Sequence, residues 1–254
     1  MNSLHHAVTG DGPALLLLHA GVCDSRMWTR QLDDLARDHQ VITADLRGYG
    51  ETPLEPGSRY SDAGDVLDLL DLLGVDSVAV VAASYGGHVA LQAATMAPRR
   101  FTRLVLLAPP VDGVEPTPDL VEFVQQENRL LEAGDVDAAT DLNVRTWLGP
   151  DADEATRDQV RTMQAHAFQV QLAAGDDIKK EEHEVRPELI QAPVRLFTGA
   201  HDLAFFHRSA DHLVAELADV QHTELDWAGH LPSLERPDET TVLIRSALLP
   251  VASS

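Results

Sequence analysis

The sequence predicts an α/β fold, a mostly parallel, doubly wound sheet flanked by helices with an inserted helical cap. Three observations predict it: short apolar runs recur along the chain, segments of helical period separate them, and the alternation pauses once for a long helical stretch. Runs of four or five residues rich in Val, Leu and Ile are typical of strands buried on both faces of a parallel sheet. Their alternation with helices favours right-handed crossovers within one sheet.

The predicted elements follow in chain order. Strands are predicted at 14–18, 41–44, 78–82, 104–107, 194–197 and 220–225, with His5 and His6 in an edge strand. Helices are predicted at 26–37, 65–73, 85–97, 208–217 and 238–249. Between residues 111 and 192 no strand is predicted, only helical segments at 119–133, 136–147 and 155–173. We therefore expect residues 1–110 and 193–254 to form one core and residues 111–192 to form a cap inserted into it.

Composition excludes several classes of partner. The 254 residues carry 19 Lys and Arg against 41 Asp and Glu, a formal charge of -22, and no basic stripe that could bind a nucleic acid or an anionic membrane. The N-terminal residues resemble no export signal, and the run at 14–18 is far shorter than the ~20 residues of a membrane-spanning helix. The single cysteine, Cys23, allows no internal disulfide. We expect a cytoplasmic protein.

A serine stands where a predicted central strand turns directly into a helix. Residues 79–88 read AVVAASYGGH, so Ser84 ends the strand, and small residues, Ala82 and Gly86, lie two positions to either side. A turn this tight needs small flanking side chains, and it holds the hydroxyl at the carboxyl edge of the sheet. The Tyr85 N–H and the N-terminus of the following helix would face an anion formed beside the serine. The pattern predicts a nucleophile elbow.

A nucleophilic serine needs a base that is itself oriented by an acid. Asp202 follows strand 194–197 in FTGAHD, and His230 follows strand 220–225 in DWAGHLPSLERP. The chain order serine, aspartate, histidine is the one used by hydrolases with this elbow.

The loop after strand 14–18 is the expected source of the second oxyanion amide. It reads HAGVCDSRMW, and we assign the donor to Gly21 or Val22, with His19 shaping the loop rather than acting as base.

The chain resembles the capped α/β-hydrolases, a group that includes esterases, enol-lactonases and cofactor-free haloperoxidases. The residues that carry the resemblance are LLLLHAG with Trp28, DLRGYGETP at 45–53, AASYGG at 82–87, GAHD at 199–202 and AGHLPSLERP at 228–237. Two positions depart from the family pattern: Ala82 replaces the first glycine of G-x-S-x-G, and Ala20 replaces the glycine that usually follows the loop histidine. The family also offers an alternative acid, Asp112, since some members place the carboxylate after the strand at 104–107.

Other polar residues have plainer interpretations. Asp45 and Arg47 are expected to fix a loop by hydrogen bonds, and Cys23 to pack in the interior. His207 and Asp211 share a helix face near His201, which makes a metal site conceivable, but an ordinary polar helix surface is the preferred interpretation.

We therefore predict a serine hydrolase that acts on a small to medium carboxylic ester or lactone, without cofactor or metal. The same catalytic groups could instead form a peracid, as in the haloperoxidases, or cleave a carbon–carbon bond beside a ketone. From a different class, the pocket could serve as a receptor for a small ligand with vestigial hydrolysis. The sequence fixes neither the substrate's acyl or alcohol part nor the oligomeric state, so a homo-oligomer stays open.

Overall fold

A seven-stranded sheet organises the protein. The computed structural model describes residues 4–249. The strands are β1 (His6–Thr9), β2 (Ala14–Leu18), β3 (Gln40–Ala44), β5 (Val78–Ala83), β6 (Phe101–Leu107), β8 (Val194–Gly199) and β9 (Val220–Leu225), in the order β1-β3-β2-β5-β6-β8-β9. All neighbours pair in parallel except β1 and β3, which pair antiparallel. The six strands predicted at 14–18, 41–44, 78–82, 104–107, 194–197 and 220–225 are present, within three residues of their predicted bounds. The predicted edge strand is β1, which includes His6 but not His5.

The central strands are buried on both faces, as their continuous apolar runs predict. In β2, every residue from Leu15 to Leu18 is fully buried. Alternate residues pack into two separate cores: Leu16 and Leu18 into one, Leu15 and Leu17 into the other. A layer of helices therefore covers each side of the sheet.

The helices are α1 (Thr29–Leu35), α2 (Asp62–Leu72), α3 (Tyr85–Met96), α4 (Pro118–Glu132), α5 (Val136–Trp147), α6 (Glu154–Ala174), α7 (Ala204–Glu216), α8 (Pro232–Glu235) and α9 (Pro237–Leu248). Three short 3₁₀ turns lie at Ser25–Trp28, Pro98–Arg100 and Pro187–Leu189. The first of these turns, Ser25–Trp28, stands where the first turn of the helix predicted at 26–37 was expected, and α1 begins only at Thr29. Among residues 4–249, no helix is both long enough and apolar enough to cross a membrane.

The chain between β6 and β8 is helical, with one exception that the sequence analysis missed. Helices α4, α5 and α6 occupy most of it, and α5 packs against both of the others. The expectation of no strand is wrong at Lys179–Lys180 (β7), which pairs in parallel with Arg59–Tyr60 (β4). Strand β7 consists of two lysines, which give no alternation of apolar and polar residues. The local sequence therefore does not predict this pairing.

Helix α7 begins four residues before its predicted start. The N-cap residue, Leu203, has no side-chain cap, and the Ala204 N–H instead donates to the Asp119 carboxylate on α4 at 2.8 Å. Because the cap comes from a distant part of the chain, no local capping signal precedes the helix. The missed turn matters because it carries Phe206, which contacts the site described below.

Candidate active site

The turn that holds Ser84 has a strained backbone. Ser84 joins β5 to α3 with φ 47° and ψ -117°, a conformation that non-glycine residues rarely adopt. Its N–H donates to the Leu107 carbonyl on the neighbouring strand at 2.7 Å. Such strain costs about 1–3 kcal/mol and persists only where the surroundings enforce it. The hydroxyl is thereby presented at the carboxyl edge of the sheet.

The paired glycines after the tyrosine are required by close packing. A Cβ on Gly86 would lie 2.5 Å from the His19 carbonyl oxygen and 2.9 Å from the Leu18 carbonyl carbon, and one on Gly87 would lie 2.8 Å from Pro109 Cβ. On the other side of the serine, the methyl group of Ala82 fits inside the core, where it is fully buried. Alanine at 82 is therefore compatible with the turn, whereas a side chain at 86 is not.

His230 and Asp202 are hydrogen-bonded to each other. The His230 Nδ1 lies 2.6 Å from Asp202 Oδ2, and the other carboxylate oxygen accepts from the Leu203 N–H at 2.7 Å. The two side chains are only 3% and 0% exposed. Their approach depends on Gly199, where a Cβ would lie 1.9 Å from the Gly229 carbonyl oxygen. The loops after β8 and β9 thus bring a carboxylate and an imidazole together as a buried pair.

Aromatic side chains flank the imidazole. The ring centroid of His230 lies 4.8 Å from that of Trp147 on α5 and 4.1 Å from that of Phe206 on α7. The His230 N–H also donates to the Trp147 carbonyl at 3.1 Å. The imidazole is therefore fixed by both the sheet-side loops and the inserted helices.

A buried glutamate that the sequence analysis did not single out holds the His230 loop. Glu235 accepts the Gly229 N–H at 2.9 Å and the Leu231 N–H at 3.2 Å, so one carboxylate binds the residues on both sides of His230. Burial raises its pKa, and these hydrogen bonds oppose the rise. Its sequence context, a glutamate in a short helical turn after a proline, gives no sign of this role.

Ser84 and His230 line one cavity of about 260 Å³. Gly21 and Val22 line it as well, so the predicted oxyanion loop borders the same space. Among residues 4–249, no hydrogen bond joins the Ser84 hydroxyl to the imidazole. Catalytic hydrogen bonds are often long before substrate binds, so the missing contact does not by itself exclude a pairing of these two groups.

The loop after β2 is fixed by His19. Its Nδ1 donates to the Ala20 carbonyl at 2.8 Å, and its Nε2 accepts the Leu46 N–H at 2.9 Å. Burial lowers the pKa of this imidazole, which keeps it neutral. The Ala20 N–H donates to Met27 Sδ at 3.3 Å. Because the Ala20 N–H is already used, Gly21 and Val22, which line the cavity, stay the candidates for the oxyanion amide in this loop. Tyr85 is the first residue of α3, so its N–H has no acceptor within the helix.

Tyr85 is itself held by a polar cluster. Its hydroxyl donates to the buried Asp62 carboxylate at the start of α2, and it accepts from Lys180 Nζ at 2.6 Å. Burial raises the pKa of Asp62. Lys180 belongs to β7, so the short β4–β7 sheet, which the sequence analysis did not predict, helps to hold the Tyr85 side chain in place.

The remaining predicted residues lie as follows. Asp112 is exposed, with Oδ2 3.4 Å from the Val185 N–H, and it makes no contact with His230. Asp45 accepts from the Ser25 and Glu51 amides at 2.8 and 2.9 Å, and Arg47 forms an ion pair with Asp65 at 2.8 Å, so both fix loops as expected.

Two further predictions concern a thiol and a metal. Cys23 is buried, and burial raises the pKa of its thiol, so the thiolate is disfavoured. His207 Nδ1 lies 3.2 Å from Glu224 Oε2. Within residues 4–249, no three His, Cys, Asp or Glu side chains are grouped closely enough to bind a metal ion.

Comparisons against known proteins identify the family of the chain. A family model described as the alpha/beta hydrolase family matches residues 15–242. The chain belongs to the alpha/beta hydrolase family. It is 26% identical over 259 residues to the pimeloyl-[acyl-carrier protein] methyl ester esterase of Nitrosomonas europaea, covering 94% of this chain and 97% of that one.

Solved structures of alpha/beta hydrolases share the fold. The enol-lactonase from Burkholderia xenovorans LB400 superposes with a TM-score of 0.78 at 23% identity, over 96% of each chain. An esterase from Thermogutta terrifontis gives a TM-score of 0.78 at 23% identity, over 96% of this chain and 92% of that one. The predicted fold class and family resemblance are confirmed.

Proposed function

We propose that this alpha/beta hydrolase is a serine hydrolase that cleaves small to medium carboxylic esters or lactones through an acyl-enzyme. The observation that carries the proposal is the 2.6 Å hydrogen bond between His230 Nδ1 and Asp202, made on the wall of the cavity that Ser84 also lines. A carboxylate on Nδ1 leaves Nε2 as the nitrogen available to a serine. Asp202, rather than Asp112, is accordingly our candidate acid.

Each group has a defined task in the proposed reaction. Ser84 Oγ attacks the carbonyl carbon while His230 Nε2 accepts the hydroxyl proton, and Asp202 stabilises the imidazolium. The N–H groups of Tyr85 and of Gly21 or Val22 donate to the tetrahedral oxyanion. Collapse breaks the ester bond, and the imidazolium protonates the departing alkoxide. Water then attacks the acyl-enzyme by the same route, which releases the acid and regenerates the serine.

We further propose that residues 111–192 act as a cap on a core made of residues 1–110 and 193–254. Helices α4, α5 and α6 contribute Phe123, Trp147 and Phe168 to the cavity, while Ser84 and His230 come from the core. A lid of this kind excludes water from the reacting carbonyl and limits substrate size. The cavity volume is consistent with small to medium substrates.

The ester or lactone class is supported by the relatives. The esterase of Nitrosomonas europaea, at 26% identity, matches over nearly its whole length. The structures of an esterase and an enol-lactonase, at 23% identity, support the fold alone.

Removal of the serine hydroxyl tests the proposal. We expect Ser84→Ala to lower kcat for p-nitrophenyl acetate by at least about 10³-fold, because only binding and oxyanion stabilisation would remain. The matched control is Ser246→Ala, since Ser246 lies exposed on α9 and does not line the cavity. Wild-type turnover by the Ser84→Ala protein would refute the proposal.

A further inference from the structure

The cavity of the candidate site carries one carboxylate and no basic side chain. Glu127 on α4 lines it, whereas none of its lining residues is a lysine or an arginine. The amides of Gln164 and Gln171 and the hydroxyl of Tyr49 add hydrogen-bonding groups to the wall, but these groups carry no formal charge. Apart from the titratable imidazole of His230, the charge that a ligand meets in this cavity is therefore that of Glu127.

No cation of the protein neutralises this carboxylate. Within residues 4–249, Asn143 Nδ2 donates to Glu127 Oε1 at 2.5 Å, and no lysine, arginine or histidine forms an ion pair with Glu127. The residue is partly buried, and its other oxygen, Oε2, has no hydrogen bond in this part of the chain and is not closed off by the protein. Burial raises the pKa of Glu127, and a positive charge supplied by a ligand would favour its ionised form.

A chain of hydrogen bonds fixes the carboxylate beside aromatic rings. Trp147 Nε1 donates to Asn143 Oδ1 at 2.8 Å, and Asn143 in turn donates to Glu127. Phe123 precedes Glu127 by four positions on α4, so the two share a helix face, and the Phe123 ring centroid lies 4.7 Å from that of Trp147. Phe168 on α6 lines the cavity as well. A carboxylate and several aromatic rings thus border the same space.

The charge of Glu127 also acts on the opposite part of the wall. Burial above all raises the pKa of Tyr49, and the negative charges of Asp62 and Glu127 add to the rise. The Tyr49 hydroxyl borders the proposed oxyanion loop, because a Cβ on Gly21 would lie 3.6 Å from its oxygen. The field of the Glu127 carboxylate therefore extends toward the loop where a substrate carbonyl would bind.

These features are the ones that recognise organic cations. The faces of aromatic rings attract alkylated ammonium groups, most strongly where water is excluded, and a carboxylate adds attraction between opposite charges. An uncharged group of the same shape receives neither. The formal charge of -22 on the whole chain would in addition raise the local concentration of cationic ligands.

We infer that this cavity selects esters that carry an alkylated ammonium group away from the reacting carbonyl, and that Glu127 and the aromatic wall bind that group. The inference rests on the proposed hydrolase function and adds a substrate class to it. Glu127 is a specificity-determining residue in this account and takes no part in the proposed proton transfers.

Isosteric ligands test the inference on both sides of the ester. In the alcohol part, 2-(trimethylammonio)ethyl acetate and 3,3-dimethylbutyl acetate differ only by a quaternary nitrogen in place of a carbon. In the acyl part, methyl 4-(trimethylammonio)butanoate and methyl 5,5-dimethylhexanoate make the same change. Dissociation constants are measured by titration calorimetry at constant ionic strength in the Ser84→Ala protein, in which the proposed acyl-enzyme cannot form.

We expect the cationic ester of at least one pair to bind about tenfold more tightly than its uncharged isostere. Adding Glu127→Gln should lower that ratio at least about threefold, since glutamine keeps an oxygen for Asn143 but removes the charge. Adding Glu127→Asp, which keeps the charge, should leave the ratio above that of the glutamine variant.

The matched control is Glu122→Gln on the same helix. Glu122 is exposed and does not line the cavity, so its replacement removes one negative charge from α4 without changing the wall. The ratio should stay at its original value in this variant. The comparison separates contact with the ligand from the general effect of the protein's net charge.

A ratio near or below one for both pairs would overturn the inference, and so would a ratio that falls no further in Glu127→Gln than in Glu122→Gln. Neither result bears on the proposed function, which is tested by p-nitrophenyl acetate turnover in the wild-type protein. If that turnover is absent, the proposed function fails, while the dissociation constants still decide whether the cavity selects cationic ligands.

Discussion

Close backbone contacts determine which residue types the serine turn can hold. Gly86 lies against the backbone of β2 so closely that a methyl group has no room. We expect Gly86→Ala to lower the free energy of unfolding by about 2–3 kcal/mol, measured by urea denaturation, because the backbone must shift to relieve the contact.

The matched control for Gly86→Ala is another helical glycine. A Cβ on Gly64 in α2 would meet Ser61 Cβ at an ordinary 3.4 Å. We expect Gly64→Ala to leave stability unchanged or to raise it by up to about 1 kcal/mol, since alanine favours the helix. Equal effects of the two substitutions would contradict the close packing described for the serine turn.

His19 makes the stability of the protein depend on pH. Burial lowers its folded-state pKa below the ordinary value of 6.5, so the unfolded chain binds a proton that the folded chain does not. Its contribution to stability is therefore present above pH ~6.5 and is lost as the pH falls below that value.

Replacement of His19 should reduce this pH dependence. Between about pH 7.5 and pH 5.5, we expect wild-type protein to lose roughly 1 kcal/mol more stability than His19→Gln, compared by urea denaturation. Identical losses in the two proteins would show that a charged imidazole is tolerated in the loop.

At the scale of elements, the His230 loop depends on helix α8. Glu235 binds the amides on both sides of the histidine, whereas a glutamine would turn an NH₂ group toward one of those N–H donors. We expect Glu235→Gln to cost about 1–3 kcal/mol in stability and to lower kcat about tenfold as the imidazole moves.

The matched control for this loop is Glu239→Gln on α9, which removes the same charge from a side chain that is 48% exposed. Stability within about 0.5 kcal/mol of wild type is expected for it. If both glutamates gave the same small effects on unfolding and on kcat, Glu235 would not be holding the loop.

Elements set by local sequence were predictable, and elements set by distant partners were not. The buried strands and α3 follow from apolar runs and from the residues around Ser84. The first turn of α7 is capped by Asp119 of another helix, and β7 exists through pairing with β4, so neither has a local signal. The residues missed near the site, Phe206 and Glu235, act through such long-range contacts.

The whole molecule brings the candidate groups together through its topology. Strands β5, β8 and β9 are separated by up to about 140 positions in the chain, yet their carboxyl ends meet at one edge of the sheet. This convergence could be predicted from the alternation of elements and from the chain order of serine, aspartate and histidine. The detailed shape of the cavity could not, because α4, α5 and α6 pack by contacts that their helical period does not specify.

The charge of the whole molecule should make its stability sensitive to salt. The formal net charge is -22, so the acidic side chains repel one another in the folded state. We expect the Tm to rise by several degrees between about 0.02 M and 0.3 M NaCl, because screening relieves this repulsion more than it weakens exposed ion pairs. A Tm that falls with added salt would mean that the surface ion pairs dominate instead.

The central claim is that Ser84 is activated by His230, and covalent labelling tests it most directly. After reaction with a fluorophosphonate probe and peptide mapping by mass spectrometry, we expect one adduct on Ser84 in the wild-type protein and a labelling rate at least about 10²-fold lower in His230→Gln. An adduct on a different residue, or labelling of Ser84 at the wild-type rate without the imidazole, would contradict the account.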